Sequence, residues 1–172
     1  MRIHRSTKYW LVAIITLTAC FPALALAAIH VDLGVSGDAL FVASNDSRCE
    51  DARIDCIAVK KGDEPDLFFD LDKACKSGGP SYKLSQIRIA MASKRWPSPD
   101  NPLPANVAAD FSADPNTGII DLSAGNNQLK DDRIKLKDKN SGAYTVYYEI
   151  QATSCEGSGA IVLDPAIRNT GK

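Results

Sequence analysis

Few residues of this chain could take part in catalysis or hold a metal. Outside residues 1–27, a predicted leader, the chain has one histidine, His30, and one methionine, Met91. His30 alternates with apolar residues and has no sequence context for a Ser-His-Asp triad, which predicts a solvent-facing strand residue. We therefore expect no catalytic residue, no metal site and no cofactor.

Four cysteines lie outside the leader: Cys49, Cys56, Cys75 and Cys155. An even number of cysteines in an exported protein indicates two disulfides, because the compartment is oxidising. A zinc site is the alternative. However, the six, eighteen and seventy-nine residues between successive cysteines match no zinc pattern, and no histidine lies nearby.

The predicted strand directions leave the cysteine pairing open. If the strand over 54–60 runs up, that over 66–71 runs down and that over 160–163 runs parallel to the first, all four cysteines lie at one pole. Three pairings are then possible. The short loop favours Cys49–Cys56, and Cys75–Cys155 then closes a long loop. This is the pairing that we predict.

Two groups of acidic residues have the chemistry for calcium binding. The first comprises Asp63, Glu64, Asp66, Asp70 and Asp72. It lacks the residue order of an EF-hand loop, and we predict a solvated strand edge with Asp66 and Asp70 on one face. The second comprises Asp110, Asp114 and Asn116, but Asp-Pro-Asn-Thr-Gly at 114–118 is typical of a turn. A carboxylate pair for glycoside hydrolysis stays open, because its separation is spatial.

One short segment suggests a binding surface. Lys94 and Arg95 precede Trp96 at the start of a loop, and exposed tryptophan and arginine are the residue types most often found at binding hot spots. Packing of Trp96 in the core is the interpretation that we favour, and a binding surface is the alternative. The sequence therefore offers Lys94, Arg95 and Trp96 as candidate binding residues.

Residues 1–27 are predicted to be a cleaved signal peptide. Arg2, Arg5 and Lys8 precede an apolar run, Pro22 interrupts it, and Ala-Leu-Ala at 25–27 is a small-x-small cleavage site. The run is too short for a membrane anchor. Leu-Thr-Ala-Cys at 17–20 resembles a bacterial lipobox, so lipid anchoring through Cys20 is the alternative.

The remaining chain, residues 28–172, has a length suited to one domain. It carries 17 Lys and Arg against 21 Asp and Glu, a net charge of −4. Scattered charges with an acidic balance argue against nucleic acid or an anionic membrane as a partner. No second apolar run approaches membrane length, so we expect no transmembrane anchor after processing.

Period-two alternation and short apolar runs between turns predict many strands. The clearest signal is the last hairpin, with strands over 143–152 and 160–163; others cover 29–35, 39–43, 54–60, 66–71, 119–122 and 132–138. Residues 85–96 fit a strand or a short helix, and we predict a strand. Prolines at 97, 99, 102 and 104 predict an irregular crossing loop. The expected fold is a single immunoglobulin-like or cupredoxin-like all-β sandwich of about eight or nine strands.

Two segments carry a family resemblance. Val-Lys-Lys-Gly-Asp at 59–63 and Asp-Pro-Ala-Ile-Arg-Asn at 164–169 resemble the small bacterial β-sandwich proteins of the DP-EP type. The resemblance covers roughly residues 29–169 and implies a sandwich fold without a mechanism. The chain is also loosely similar to cupredoxins, but a cupredoxin copper site needs two histidines and a free cysteine, so a copper site is not expected.

The sequence thus predicts an exported, non-catalytic structural or binding module of the bacterial envelope or exterior, periplasmic or secreted. Its partner would be another envelope protein or an extracellular ligand. Two alternatives remain: a lipid-anchored envelope protein that binds or inhibits another protein, and a hydrolase that uses carboxylates.

Overall fold

The computed structural model describes residues 28–50, 55–72, 74–75, 81–157 and 159–170. These residues form two β-sheets and one short helix, which confirms the predicted all-β sandwich; the predicted leader lies outside them. The elements are β1 (Ala28–Ser36), β2 (Ala39–Asn45), β3 (Cys56–Val59), β4 (Asp66–Leu71), β5 (Tyr82–Ala90), α1 (Ala105–Phe111), β6 (Gln128–Lys130), β7 (Arg133–Lys137), β8 (Ala143–Ser154), β9 (Ala160–Leu163) and β10 (Ala166–Thr170).

The first sheet has the strand order β2-β1-β4-β7-β6. The pairing of β1 with β4 is parallel and the other pairings are antiparallel. β4 therefore lies in the centre of this sheet. The prediction that Asp66 and Asp70 belong to a strand edge is wrong, because β1 and β7 cover both sides of their strand.

The second sheet has the order β3-β10-β8-β5, with β9 also paired to β8. β9 and β10 pair with β8 in the same register, since Leu163 lies opposite Ile150 and Ala166 lies opposite Tyr147. Pro165, which has no N–H to donate, interrupts them. The strand that runs parallel to β3 is β10. The supposition that residues 160–163 do so is wrong.

The core fills the space between the sheets. On β8 the inward row Val146, Tyr148, Ile150 is fully buried, as the alternation in the sequence predicts. Phe69 of the first sheet packs against this row, and its ring centroid lies 5.2 Å from that of Tyr148. Burial of such side chains, at about 1.5–3 kcal/mol each, is the main favourable term in holding the sheets together.

Several segments differ from the sequence prediction. The strand predicted over 85–96 instead covers residues 82–90. Helix α1 was not predicted; Val107, Ala108 and Phe111 mark its buried side. Ser112, with φ of 54°, ends this helix in a left-handed conformation. Residues 119–122 were predicted to be a strand, yet Ile119 and Ile120 make only single bridges. β6 and β10 were also missed, which gives ten strands in the described residues.

Two disulfides join the cysteines as predicted, Cys49 with Cys56 and Cys75 with Cys155. The placement of all four at one pole is wrong. Cys56 of β3 lies opposite Ala166 of β10, and Ala166 lies opposite Tyr147 of β8. Tyr147 precedes Cys155 by eight positions, which is about 26 Å along a strand at about 3.3 Å per residue. That separation makes cross-pairing between the two bridges geometrically impossible.

Candidate functional site

A tight turn after β5 contains the candidate binding residues suggested by the sequence. Ala92 and Arg95 form an antiparallel bridge, with Arg95 N–H donating to the Ala92 carbonyl oxygen at 3.1 Å. Lys94 takes a left-handed conformation with φ of 58° at the tip. Lys94 and Arg95 are exposed, while Trp96 is half-buried, so the favoured prediction of a core tryptophan is wrong.

The Trp96 ring lies against Arg88 of β5. The guanidinium carbon of Arg88 is 3.9 Å from the ring centroid. Arg88 also donates two hydrogen bonds to Glu149 of β8, from Nε to Oε1 at 2.9 Å and from Nη2 to Oε2 at 3.0 Å. This bidentate pair fixes the guanidinium plane, and the plane in turn orients the indole.

Sequence reasoning missed Arg88 and Glu149. They are 61 residues apart and meet only because β5 and β8 pair with Arg88 opposite Glu149. The available signal was the alternation itself, which places charged residues of neighbouring strands on the same outer face. The alternation shows on which face of the sheet each residue lies, but it does not show which residues of neighbouring strands come into contact.

Exposed apolar residues border this assembly. Ile119 bridges to Arg88 from the far side of β5, and 39% of its surface is exposed; Met91, next to the turn, is 40% exposed. Gly118 permits the bridge, since a Cβ there would lie 2.1 Å from the Ile89 carbonyl oxygen. We call this surface the Trp96 face; it consists of Arg88, Met91, Lys94, Arg95, Trp96, Ile119 and Glu149.

The outer face of the first sheet carries a grid of ion pairs around Phe68. His30 lies on this outer face, as predicted, and stacks on the Phe68 ring at 4.8 Å between centroids. Asp70 contacts His30 Nδ1 at 3.3 Å and pairs with Arg133. Lys135 Nζ lies 3.0 Å from Asp66 Oδ2. Cations on a neighbouring strand therefore pair with both Asp66 and Asp70.

Asp114 forms the predicted turn. Its Oδ1 accepts hydrogen bonds from the backbone N–H groups of Asn116 and Thr117, both at 2.9 Å. A hydrogen bond from the Thr117 side chain, followed by these two, lowers the pKa of Asp114. The structure does not bring Asp110 to this turn, because Asp110 is buried on α1.

Asp110 instead belongs to a buried polar cluster. Its Oδ2 accepts hydrogen bonds from the Ser141 N–H and hydroxyl, each at 2.8 Å, and from the Tyr144 hydroxyl. Asn169 of β10 donates to Asp138 Oδ1 at 3.2 Å, and the Asn140 N–H does so at 2.8 Å. We call these six residues the Asp138 cluster; they are Asp110, Asp138, Asn140, Ser141, Tyr144 and Asn169.

Burial dominates the electrostatics of this cluster. It raises the pKa of Asp138 to about 6, although hydrogen bonds from Asn140 and Asn169 oppose the shift and the charge of Asp110 adds to it. Burial, followed by the hydrogen bond to Asp110, raises the pKa of Tyr144. Sequence reasoning missed this cluster because helix α1, the 138–141 segment and β10 contribute to it separately.

The described residues contain no group of three or more His, Cys, Asp or Glu side chains placed to hold a metal. Within the same residues, no helix has the length and apolar character needed to cross a membrane. No protein-family model and no curated protein matches the chain.

Proposed function

We propose that this chain is an exported, non-catalytic binding domain of the bacterial envelope or exterior, and that it binds a protein partner through the Trp96 face. The observation that carries this proposal is the Arg88 guanidinium held between Trp96 and Glu149 at the protein surface. Its aromatic and arginine content, with exposed Met91 and Ile119, matches the residue types enriched in the centres of protein interfaces.

Preorganisation supports the same conclusion. A free arginine or tryptophan side chain loses rotamer entropy when a partner binds, at about 0.5–1.5 kcal/mol for each immobilised side chain. In this protein the bidentate pair and the stacked ring have already fixed both groups. The adjacent Lys94 and Arg95 are exposed and would contact the rim of the same partner.

The test is affinity capture from envelope fractions of the producing cell, with residues 28–172 as bait. Trp96→Ala should lower the recovery of the partner at least tenfold, because hot-spot truncations cost about 2 kcal/mol or more. Phe41→Ala is the matched control, since Phe41 is an aromatic residue of β2 with 43% exposure outside the Trp96 face. Equal loss with both variants would contradict the proposal.

Export is the second part of the proposal. Two disulfides are typical of proteins from oxidising compartments. Intact-mass analysis of protein recovered from the producing cell should give residues 28–172, reduced by four hydrogens for the two disulfides. A lipid-modified species that starts at Cys20 would instead support the lipid-anchored alternative.

A carboxylate-dependent hydrolase is the second candidate function. The observation in its favour is a cleft of about 200 Å³ whose lining residues include Asp46 and Asp63. Turnover of envelope polysaccharide that is lost in both Asp46→Asn and Asp63→Asn would establish this function in place of the binding domain.

A further inference from the structure

Two oxygens of the Asp138 cluster lack hydrogen-bond donors. Asp138 Oδ2 and Asn169 Oδ1 are buried and receive no hydrogen bond from any described group. Their residues are 0% and 3% exposed. When Asp138 is ionised, both atoms are acceptors and neither can satisfy the other; leaving such groups unpaired costs about 1–3 kcal/mol each.

The orientation of the Asn169 amide follows from its partner. Its Nδ2 donates to Asp138 Oδ1 at 3.2 Å. Exchanging the amide oxygen and nitrogen would set the amide oxygen against this carboxylate oxygen. Asn169 Oδ1 is therefore a free acceptor inside the cluster.

The cluster also holds uncompensated negative charge. Asp110 and Asp138 are both buried, and no described lysine, arginine or histidine makes an ion pair with either. Lys137, next to Asp138 in sequence, directs its amine to the Glu64 carbonyl and to Asp66. Three donors bond to Asp110 Oδ2, whereas Asp138 Oδ2 has none. A buried carboxylate without a counter-charge is costly.

We propose that the Asp138 cluster binds a hard cation of the calcium class, with Asp138 Oδ2 and Asn169 Oδ1 as ligands and the Asp110 carboxylate adding negative charge. Calcium takes oxygen ligands from carboxylates, carboxamides and water, and the free groups here are of the first two kinds. The absence of histidine and cysteine from the cluster argues against zinc or copper. This site departs from the metal-free domain expected from the sequence.

The consequence of binding would be structural. Asp138 follows β7 of the first sheet, Asn169 belongs to β10 of the second, and Asp110 lies on α1. A cation held between Asp138 and Asn169 would therefore link the two sheets. This link would lie at the end of the sandwich opposite Cys155, because Asn169 pairs with Tyr144 near the start of β8, whereas Cys155 follows the end of that strand.

The test is thermal unfolding of the oxidised 28–172 protein after chelator treatment, at about pH 7.5 so that Asp138 is ionised. Calcium chloride should raise Tm on the order of 5 °C when free calcium reaches about one hundred times its Kd. Asp138→Asn should abolish the shift. Asp114→Asn, at the exposed turn, should leave it unchanged.

Terbium provides a second readout on the wild-type protein, whichever variants fold. Tyr144 lies in the cluster, so bound terbium should show tyrosine-sensitised emission that excess calcium reverses and that Tyr144→Phe diminishes. No calcium-dependent Tm shift and no sensitised emission would overturn the proposal. The proposal would also be overturned if Tm does not change with calcium but rises as the pH falls from about 7.5 to about 5. In that case a proton on Asp138, and not a cation, would neutralise the buried negative charge.

Discussion

Removal of the Cys75–Cys155 disulfide by alanine substitution of both residues is expected to lower the free energy of unfolding by about 4 kcal/mol. The bridge joins residues 80 apart in sequence, and a cross-link over so long a loop restricts the unfolded chain strongly. It also connects the two sheets, since Cys75 follows β4 and Cys155 follows β8. Urea unfolding of the oxidised proteins measures the difference.

The Cys49–Cys56 bridge is the matched control. It joins residues only 7 apart, so the same chain-entropy argument gives a loss of about 2 kcal/mol for Cys49→Ala with Cys56→Ala. Both cysteines of this pair are buried beside Ala166, and their packing is largely kept by alanine. An equal or greater loss on removing the short bridge would show that loop closure does not set the contribution of these disulfides.

Tyr148 should show opposite responses to two substitutions. Tyr148→Ala removes a fully buried ring that packs against Phe69, and a loss of about 3–5 kcal/mol is expected. Tyr148→Phe keeps the ring and removes a buried hydroxyl that has no partner among the described groups, so stability should stay the same or rise by about 1 kcal/mol. Chemical unfolding of both variants is the measurement.

A marked loss in Tyr148→Phe would contradict this account, because it would mean that the hydroxyl is hydrogen-bonded in solution. Tyr147→Phe serves as the control for the change in chemistry. Tyr147 lies on the outer face of the same strand, half-buried, where its hydroxyl is not expected to contribute to the core.

Strands with one buried face and one outer face were predictable from sequence. β8 is the clearest case: its inner residues are fully buried and its outer residues only partly, so the alternation in the sequence reflects the burial directly. The disulfide pairing also came out as predicted, although one premise was wrong. Sequence separation alone identified the short bridge.

Elements without that contrast were not predictable. In β10 both faces are buried, because Ile167 lies in the core while Ala166 packs against the Cys49–Cys56 bridge. The strand therefore lacks the alternation of apolar and polar residues that predicts a strand with one exposed face. The three residues of β6 are all exposed and form a strand only by pairing with β7. α1 is seven residues long and is bounded by Pro104, too short for a clear helical period.

Neither the Trp96 face nor the Asp138 cluster could be assembled from sequence, for a related reason. Trp96 was singled out by its residue type, but its partners Arg88 and Glu149 come from two paired strands. Asp138 and Asn169, 31 residues apart, meet only once the sheets have packed. Contacts of this kind depend on tertiary register, which local patterns do not encode.

The most direct test of the proposed binding domain is site-specific photocrosslinking in the producing cell. A photoreactive residue replaces Arg95, which is exposed within the Trp96 face, or Leu129 on β6, which is 43% exposed in the first sheet. We expect one discrete crosslinked partner from position 95 and none from position 129. No crosslink from position 95, or the same products from both positions, would contradict the proposal.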